Sequence, residues 1–543
     1  MNVIYISAVS AIVVIALIIF ALRGHPRGLA TLFFTEMWER FSYYGMRAIL
    51  ILFMTTATVD GGLGWGPDKA GPIYAMYTSL VYLASVPGGW LADNFLGQRK
   101  SVLYGGIVIM AGHIALALHG DVFFFSGLGL VIVGTGLLKP NISVIVGQLY
   151  SKEDQRRDAG FSAFYMGINI GAFLSPLICG TLLSQSQWFK TQLESWGMDP
   201  NNSWHWGFGA AAVGMFFGLL QYVMTGKSLG QAGMHPTKPA TPEIAAKNRR
   251  TLQIGLGSFL AIAAGVAALG LTAPQYLTSD NIKNSFTILL LAVVIGFFSK
   301  LFLAGNWTKG ERARLWTIFV LFCGAAIFWG VFEQAGSTLT LFAERNTNNS
   351  VFGMEFGSAT WQSLNAILIV LLAPFFSWLW IRLGKRDPSY PTKFAVGLVF
   401  AGAGFLVLMF GAQISVGDGG EDGGVSLVSP MWLFSVYFLH TVGELWLSPV
   451  GLSSMTKLAP ARVASLMMGV WFLAASVGNF IGGSVAGFYE QFELPTLFGL
   501  VAASSGLMAF IMFLLVGPIR RMNAEAEAET QPAKGGDKEE WGE

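Results

Sequence analysis

The stretch "FFTEMWERFSYYGMR" (33–47) places charges inside an apolar run. Its four charged residues are Glu36, Glu39, Arg40 and Arg47. The run continues as "AILILFM" (48–54), which gives it the length of a helix that crosses a bilayer. In such a helix, Tyr43 completes a stripe with positions 36, 40 and 47 at the i, i+4, i+7, i+11 spacing. An ionised group at membrane depth costs about 2.5–3.5 kcal/mol on insertion scales, so the stripe predicts a polar face turned away from lipid.

The rest of the chain has the composition of a membrane protein. Among its 543 residues, 53% are hydrophobic and 12% are charged, and the mean hydropathy is +0.57. Soluble proteins have about 25% charged residues. Apolar runs of about 20 residues recur between short polar joints from end to end. The sequence therefore predicts an all-α polytopic membrane protein without a sizeable soluble domain.

Fifteen candidate spans follow from these runs. They cover approximately 4–22, 28–57, 70–94, 101–119, 123–148, 158–186, 204–226, 250–272, 285–305, 313–343, 355–382, 392–412, 430–456, 462–487 and 493–517. Of the 33 lysines and arginines, most fall on the same side as the joint "RGHPRG" (23–28). Those on the opposite side are Lys69, Lys190, Lys283 and Arg345. The positive-inside rule places the basic side in the cytoplasm, with the N-terminus outside and the C-terminus inside.

The first span and the middle of the chain mark candidate boundaries. Basic residues follow the first span and none precedes it, which is the reverse of a secretory signal peptide. We interpret the span as a retained anchor, with a signal peptide as the alternative. The linker "KSLGQAGMHPTKPATPEIAAKNRR" (227–250) divides the chain into two halves. The short turns "FLGQRK" (95–100) and "IRLGKRD" (381–387) are alike, which supports two related halves around a central site.

Charged residues inside the candidate spans indicate a cavity. They are Glu36, Glu39, Arg40, Arg47, Lys139, Glu333 and Glu444. The three cations belong to the first half, whereas the last two carboxylates belong to the second half. This segregation predicts one positive and one negative wall, complementary to a zwitterion a few residues long; interhelical salt bridges are the alternative. Carboxylates exceed cations by one, and the surplus charge needs a counter-ion or a proton.

Aromatic and amide side chains fit the same cavity, because they combine apolar faces with hydrogen-bonding groups. The candidates are Tyr43, Tyr44, Tyr82, Trp329, Trp471, Asn169 and Asn365. Core packing or an interfacial aromatic belt is the alternative for each. We interpret His113, His440 and the two cysteines, Cys179 and Cys323, as buried packing residues.

Several motifs are similar to those of the proton-dependent oligopeptide transporter family of the major facilitator superfamily. "EMWERFSYYG" (36–45) resembles the family's E-x-x-E-R-F motif, and "GGWLADNFLGQRKSV" (88–102) resembles the loop between its second and third helices. "FSAFYMGINIGAF" (161–173) and "GELWLSPVGLS" (443–453) resemble its fifth- and tenth-helix motifs. The matches run in family order from about residue 28 to 517, so the chain is identified as a member.

The resemblance implies a fold and an activity. The fold is two six-helix bundles with two inserted helices, and the additional N-terminal span has no counterpart in it. The implied divisions are 1–27 for the additional helix, 28–226 for the first bundle, 227–312 for the linker and inserted pair, 313–517 for the second bundle and 518–543 for a disordered tail. The activity is import of di- and tripeptides with protons across the plasma membrane, by a functional monomer surrounded by membrane lipids and without nucleic acid, metal or cofactor.

The resemblance also implies roles for the candidate residues. Arg40, Arg47 and Lys139 would hold the peptide carboxylate, and Glu444, Asn169 and Asn365 would hold its amino terminus. Glu36 and Glu39 would take part in proton coupling beside Arg40. Glu333 would pair with Lys139 and exchange that partner for a proton or substrate during the cycle. The side-chain pockets would be shaped by Tyr43, Tyr44, Tyr82, Trp329 and Trp471.

Motifs that define two other classes of membrane protein are absent from this sequence. A nucleotide-driven pump needs G-x-x-x-x-G-K-[ST], but "TGKS" (225–228) has Gln221 where the first glycine belongs. A metalloprotease would need H-E-x-x-H, and none of the six histidines fits that pattern. An ion channel and a ligand sensor are the alternatives: single-channel currents would identify a channel, and only a flux measurement separates a sensor from a carrier.

Overall fold

The computed structural model describes residues 16, 18–151, 153–303, 305–351, 353–417, 426–460, 463 and 466–530, and helices dominate these residues. The first half contains α1 (Arg27–Thr55), α2 (Pro67–Leu83), α3 (Ser85–Leu91), α4 (Gln98–Leu116), α5 (Asp121–Gln148), α6 (Arg157–Ser175), α7 (Gln187–Ser195) and α8 (Ser203–Thr225). Two π-helical segments, Ala92–Leu96 and Pro176–Ser184, extend α3 and α6. In this bundle α1 packs between α6 and α8, and α5 packs on α4.

The second half follows an inserted helix pair. The remaining helices are α9 (Pro242–Thr272), α10 (Ser279–Leu303), α11 (Lys309–Phe332), α12 (Thr338–Arg345), α13 (Trp361–Leu383), α14 (Tyr390–Gly417), α15 (Met431–Leu458), α16 (Met467–Ala486) and α17 (Leu494–Thr530). A 3-10 turn, Glu333–Gly336, separates α11 from α12. A small antiparallel hairpin of β1 (Ser350–Val351) and β2 (Met354–Glu355) follows α12, with Ser350 opposite Glu355 and Val351 opposite Met354. In this bundle α14 packs on α15 and α17, and α11 packs on α16.

Ten helical segments of the described residues are long and apolar enough to cross a membrane. They are Asp121–Gln148, Arg157–Ser184, Pro200–Leu229, Pro242–Thr272, Ser279–Leu303, Lys309–Arg345, Ser358–Leu383, Tyr390–Val416, Met467–Ala486 and Leu494–Met522. The prediction of an all-α polytopic membrane protein is confirmed. The candidate span at 4–22 lies mostly outside the described residues.

The last helix ends later than the sequence predicts. We expect a disordered tail from residue 518, but α17 continues to Thr530. The reason is the composition of the segment "NAEAEAE" (523–529), because alanine and glutamate are strong helix formers. The prediction of disorder is therefore wrong for 518–530, and its remainder, 531–543, lies outside the described residues.

The inserted helices differ in how they pack. No residue of α9 is buried, so its apolar side chains face outward all round. By contrast, α10 packs on α2 and α11. The ring centroid of Phe286 on α10 lies 5.0 Å from that of Phe480 on α16, and that of Phe298 lies 4.9 Å from that of Phe319 on α11. The second inserted helix therefore contacts both halves of the protein.

The two bundles are sealed against each other on the side opposite to the basic loops. Ser79 on α2 and Ser476 on α16 have their hydroxyl oxygens 2.8 Å apart. Nearby, Gly483 approaches α2 so closely that a Cβ atom there would lie 2.5 Å from the Cα of Ala75. A second contact joins the loop after α6 to the start of α13, where Gln185 Nε2 donates to Ser358 Oγ at 3.0 Å. These contacts close the bundles on that side, whereas the cavity between the bundles reaches the basic loop after α5.

Candidate functional site

A cavity of about 1200 Å³ lies between the two bundles. Its walls come from α1, α2, α5 and α6 of the first bundle and from α11, α13, α15 and α16 of the second bundle. The lining extends to Gly147, Gln148 and Arg157, at the ends of α5 and α6 that carry the basic loop. The cavity is therefore open on the basic side, and its volume is large enough for a small organic molecule.

The charged stripe of α1 forms part of the cavity wall. Arg40 Nε lies 2.8 Å from Glu36 Oε1 and 2.7 Å from Glu39 Oε2, and all three side chains are buried. The side chains of Glu36 and Arg40 line the cavity, whereas Glu39 lies behind them. Two carboxylates thus share one guanidinium, so the cluster carries a net negative charge when both are ionised. Such a cluster gains from taking up a proton.

Arg47 makes an ion pair across the two bundles. Its Nη1 lies 2.8 Å from Glu333 Oε2, and its Nε donates a hydrogen bond of 2.9 Å to the hydroxyl of Tyr74. Glu333 begins the 3-10 turn after α11, close to the seal between the bundles. The Arg47–Glu333 pair therefore holds the halves together on the closed side.

This pairing contradicts the expectation that Glu333 pairs with Lys139. Lys139 Nζ instead lies 3.6 Å from the ring centroid of Tyr82. Tyr82 is eight residues from Tyr74 in the same helix, or about 12 Å along the axis. In this conformation Glu333 is paired with Arg47, and no ion pair joins it to Lys139 among the described residues.

Inside the cavity, away from Arg157 at its mouth, two side chains of opposite charge lack an ion-pair partner among the described residues. They are Lys139 of the first bundle and Glu444 of the second. Asn365 Nδ2 donates to Glu444 Oε2 at 3.0 Å and to Thr441 Oγ1 at 3.0 Å, which fixes the orientation of the carboxylate. Arg157 at the mouth also lacks an ion pair; deeper in the cavity, Lys139 and Glu444 are the free cation and the free carboxylate on facing walls, among the described residues.

Most of the predicted aromatic and amide residues also line the cavity. They are Tyr44, Tyr82, Trp329, Trp471, Asn169 and Asn365. The rings of Trp329 and Trp471 meet edge to face, with centroids 6.1 Å apart. Asn169 Nδ2 donates to the carbonyl of Tyr165 within α6, at 2.9 Å. Its carbonyl oxygen is left for other partners in the cavity.

Tyr43 is the exception among the predicted binding residues. It is 1% exposed and does not line the cavity, whereas its neighbour Tyr44 does. Both positions lie about one turn from Arg40. Around the helix axis, position 44 is closer in angle to position 40 than position 43 is. The expectation that Tyr43 contacts substrate is therefore wrong for this conformation.

Sequence reasoning missed His440, which lines the cavity, and Tyr74, which lies outside the lining and accepts a hydrogen bond from Arg47. His440 lines the cavity between Phe332 and Phe405, and its Nε2 lies 3.2 Å from the carbonyl oxygen of Ala401. A usable signal was its position four residues before Glu444, which puts the two side chains on one helix face. Tyr74 had no such signal, because its role depends on a contact with another helix.

The segment that precedes α1 makes hydrogen bonds to residues at the mouth of the cavity. The hydroxyl of Tyr150, which lines the mouth, lies 2.9 Å from His25 Nδ1. Arg156 Nη1 donates to the carbonyl of Gly24 at 2.8 Å. Hydrogen bonds from the side chain and backbone of Arg156 lower the pKa of Asp154 to about 2, so this carboxylate stays ionised at neutral pH.

The absence of a side chain at Gly336 leaves room for the Arg47–Glu333 pair. A substitution at this glycine therefore tests the role of the pair. A Cβ atom there would lie 2.7 Å from Arg47 Nε and would collide with the hydroxyl of Tyr74. Gly336→Ala is expected to displace Arg47 from Glu333 and to lower initial uptake by about tenfold or more, because a mispositioned charge pair is costly at this depth. Gly324→Ala is the matched control, since its Cβ would meet atoms no closer than 3.4 Å. Equal uptake by both variants would contradict this role of the glycine.

Two helical bundles around a charged cavity that is open on one side and sealed on the other define a secondary transporter. Such proteins expose a site near the middle of the membrane to each side in turn. The chain belongs to the POT family, whose model matches residues 99–500. This finding confirms the resemblance found in the sequence motifs.

Curated relatives match along most of the chain. The Bacillus subtilis (strain 168) protein called "Uncharacterized transporter YclF" is 44% identical over 92% of this chain and 95% of its own length. "Peptide transporter YePEPT" of Yersinia enterocolitica is 40% identical over 92% and 95%. The "Di-/tripeptide transporter" of Lactococcus lactis subsp. cremoris is 37% identical over 92% and 97%.

Solved structures show the same fold. The crystal structure of a peptide transporter POT with sulfate matches at a TM-score of 0.81 and 41% identity, over 92% of this chain and 96% of that chain. A POT family transporter in complex with 5-aminolevulinic acid matches at 0.81 and 34% identity, over 92% and 97%. The predicted fold of two bundles is thereby confirmed.

Proposed function

We propose that the protein imports di- and tripeptides together with protons by alternating access. The single observation that carries the substrate class is the pair of free charges, Lys139 and Glu444, on facing walls of the cavity. A zwitterionic peptide of two or three residues spans roughly 7–10 Å when extended and supplies a charge for each wall. The names of the Yersinia and Lactococcus relatives support the same substrates.

Each wall takes one end of the peptide. Lys139 attracts the carboxylate, because Arg40 and Arg47 are engaged by carboxylates of the protein. Glu444, held by Asn365, attracts the ammonium group, and Asn169 offers an acceptor in the same cavity. Side-chain pockets are formed by Tyr44, Tyr82, Trp329 and Trp471.

Proton coupling acts through the carboxylates that are bound to arginines. Opening of the sealed side requires the Arg47–Glu333 pair to separate, and protonation of Glu333 removes the charge that holds it. Glu36 and Glu39 share Arg40, so one proton in this cluster balances its charge. The rocking units are the bundles 28–226 and 313–517, in a cell membrane with the basic side facing the cytoplasm.

Flux into proteoliposomes tests this function. Purified protein is expected to accumulate a labelled dipeptide when the lumen is more alkaline than the outside, and not when a sodium gradient replaces the pH gradient. Unlabelled dipeptides and tripeptides should compete, and acetylated dipeptides should compete poorly. Alafosfalin and 5-aminolevulinic acid, found in structural neighbours, belong in the same panel. Binding without flux would indicate a sensor, and single-channel currents would indicate a channel.

A further inference from the structure

The contact between α1 and α2 fixes which residues face each other. Arg47 Nε on α1 is 2.9 Å from the hydroxyl of Tyr74 on α2. The two helices are successive spans and run in opposite directions, so one turn back along α1 matches one turn forward along α2. Tyr43 is therefore level with Tyr77. One further turn brings Glu39 level with the end of α2.

Buried hydroxyls lie along this line without a partner. Tyr43 and Tyr77 are each 1% exposed, and neither hydroxyl has a hydrogen-bond partner among the described residues. The carboxylate oxygens of Glu39 likewise lack a well-aligned donor. Buried polar groups are nearly always satisfied by protein or by ordered water. Ordered internal water, typically with two to four hydrogen bonds, is the usual partner of such groups.

These hydroxyls are separate from the peptide route. Neither Tyr43 nor Tyr77 lines the cavity, whereas Tyr44 and Tyr82 on the same two helices do. A phenylalanine at either position would fill the space without burying an unpartnered hydroxyl. One end of the line is Tyr74, beside the Arg47–Glu333 pair, and the other end is the Glu39–Arg40 cluster.

We propose that Tyr74, Tyr77 and Tyr43, bridged by internal water, form a hydroxyl relay that carries protons between Glu333 and Glu39. This proposal rests on the proposed proton symport. A protonated Glu333 releases its proton to the adjoining hydroxyl or water. Each oxygen accepts one proton while it passes its own to the next acceptor, and the Glu39 carboxylate takes the last. No tyrosine is left charged, and the number of protons is conserved.

The relay connects the Arg47–Glu333 pair with the Glu39–Arg40 cluster, and it does not contact the substrate. When Glu39 gains a proton, its attraction to Arg40 falls; when Glu333 loses a proton, its pair with Arg47 can form again. The seal on the closed side thereby becomes sensitive to the state of the E-x-x-E-R cluster. Tyr77 and Tyr43 are positioning and proton-carrying groups of the transport cycle in this scheme.

Tyr77→Phe tests the relay, because the change removes a single hydroxyl and keeps the ring. In proteoliposomes, accumulation driven by a pH gradient is expected to fall at least about tenfold, within the usual contribution of a positioned proton carrier. Peptide-induced proton influx, read by a dye in the lumen, should fall equally. Counterflow of labelled against unlabelled dipeptide at equal pH, which needs no net proton movement, should stay within about twofold of wild type. Tyr43→Phe should behave in the same way.

Tyr222→Phe is the matched control. This tyrosine is also buried, but its hydroxyl donates to the carbonyl of Arg99 at 3.1 Å, away from the relay. Unchanged gradient-driven accumulation in Tyr77→Phe would overturn the relay. An equal loss of counterflow and of accumulation would overturn it too, because that result indicates a structural defect. Wild-type protein that performs counterflow but shows no proton-driven accumulation would instead refute the proposed symport.

Discussion

Glu444→Gln is expected to weaken binding of a dipeptide by on the order of 100-fold, or about 2.7 kcal/mol. The substitution keeps the shape of the side chain and its hydrogen bond from Asn365, and it removes only the charge. Loss of one member of a buried, hydrogen-bonded charge pair commonly costs about 2–5 kcal/mol. The measurement is competition of a labelled dipeptide by an unlabelled one, at fixed pH on both sides of the membrane.

A cycle with acetylated peptide assigns the effect to the peptide ammonium group. In wild type, acetylation of the amino terminus should weaken binding by a factor similar to that of Glu444→Gln. In the variant, acetylation should have little further effect, because the interacting charge is already gone. Glu490→Gln is the control: its carboxylate pairs with Arg345 on the surface, outside the cavity. Independent, additive losses from acetylation and from Glu444→Gln would contradict the proposed contact.

The sequence predicts the membrane fold and the presence of the charged site because both depend on local patterns. Apolar runs of span length predict helices, and a charge within such a run must avoid lipid. Three members of the predicted stripe, Glu36, Arg40 and Arg47, line the cavity, and the fourth, Tyr43, does not. Family motifs then predict the two-bundle arrangement, which the comparisons confirm.

The partner of Glu333 could not be read from the sequence. Helical periodicity gives the angle of a residue around its own axis, and it gives no depth relative to a helix of the other bundle. The depth of Glu333 depends on the 3-10 turn that follows α11, and the candidate span 313–343 runs through that turn as if it were one helix. The pairing with Arg47 also depends on the conformational state, since the two residues belong to bundles that move.

The sequence could not separate Tyr43 from Tyr44, and it predicted both as cavity residues. The spacings of three and four residues both fall on one helix face, so adjacent tyrosines near Arg40 look equivalent. Packing of α2 against α1 decides which of them reaches the cavity. The same contact explains why Tyr74 carries no recognisable signal, because its partner Arg47 is 27 residues away along the chain.

Gly483→Leu should abolish transport, with uptake reduced by about two orders of magnitude. A Cβ atom at this position would lie 2.5 Å from the Cα of Ala75, and the backbone of α2 cannot yield as a flexible side chain can. The seal between α2 and α16 could then not close, so the population shifts to conformations open on the side opposite to the basic loops. A shift from 99:1 to 1:99 between two states requires about 5.5 kcal/mol, which is within reach of a backbone overlap. The cycle would stop because the conformation open to the basic side is lost.

Thiol labelling reads this shift directly. Ala335→Cys puts a reporter on the cavity wall, in a background in which Cys179 and Cys323 are replaced by alanine. With Gly483→Leu, an impermeant reagent added on the side opposite to the basic loops should label the reporter faster than in the parent protein. Gly469→Leu is the control on the same helix, because the nearest atom to its Cβ would be 3.9 Å away. Wild-type uptake by Gly483→Leu, or unchanged labelling, would show that this seal can form without the close approach of α2 and α16.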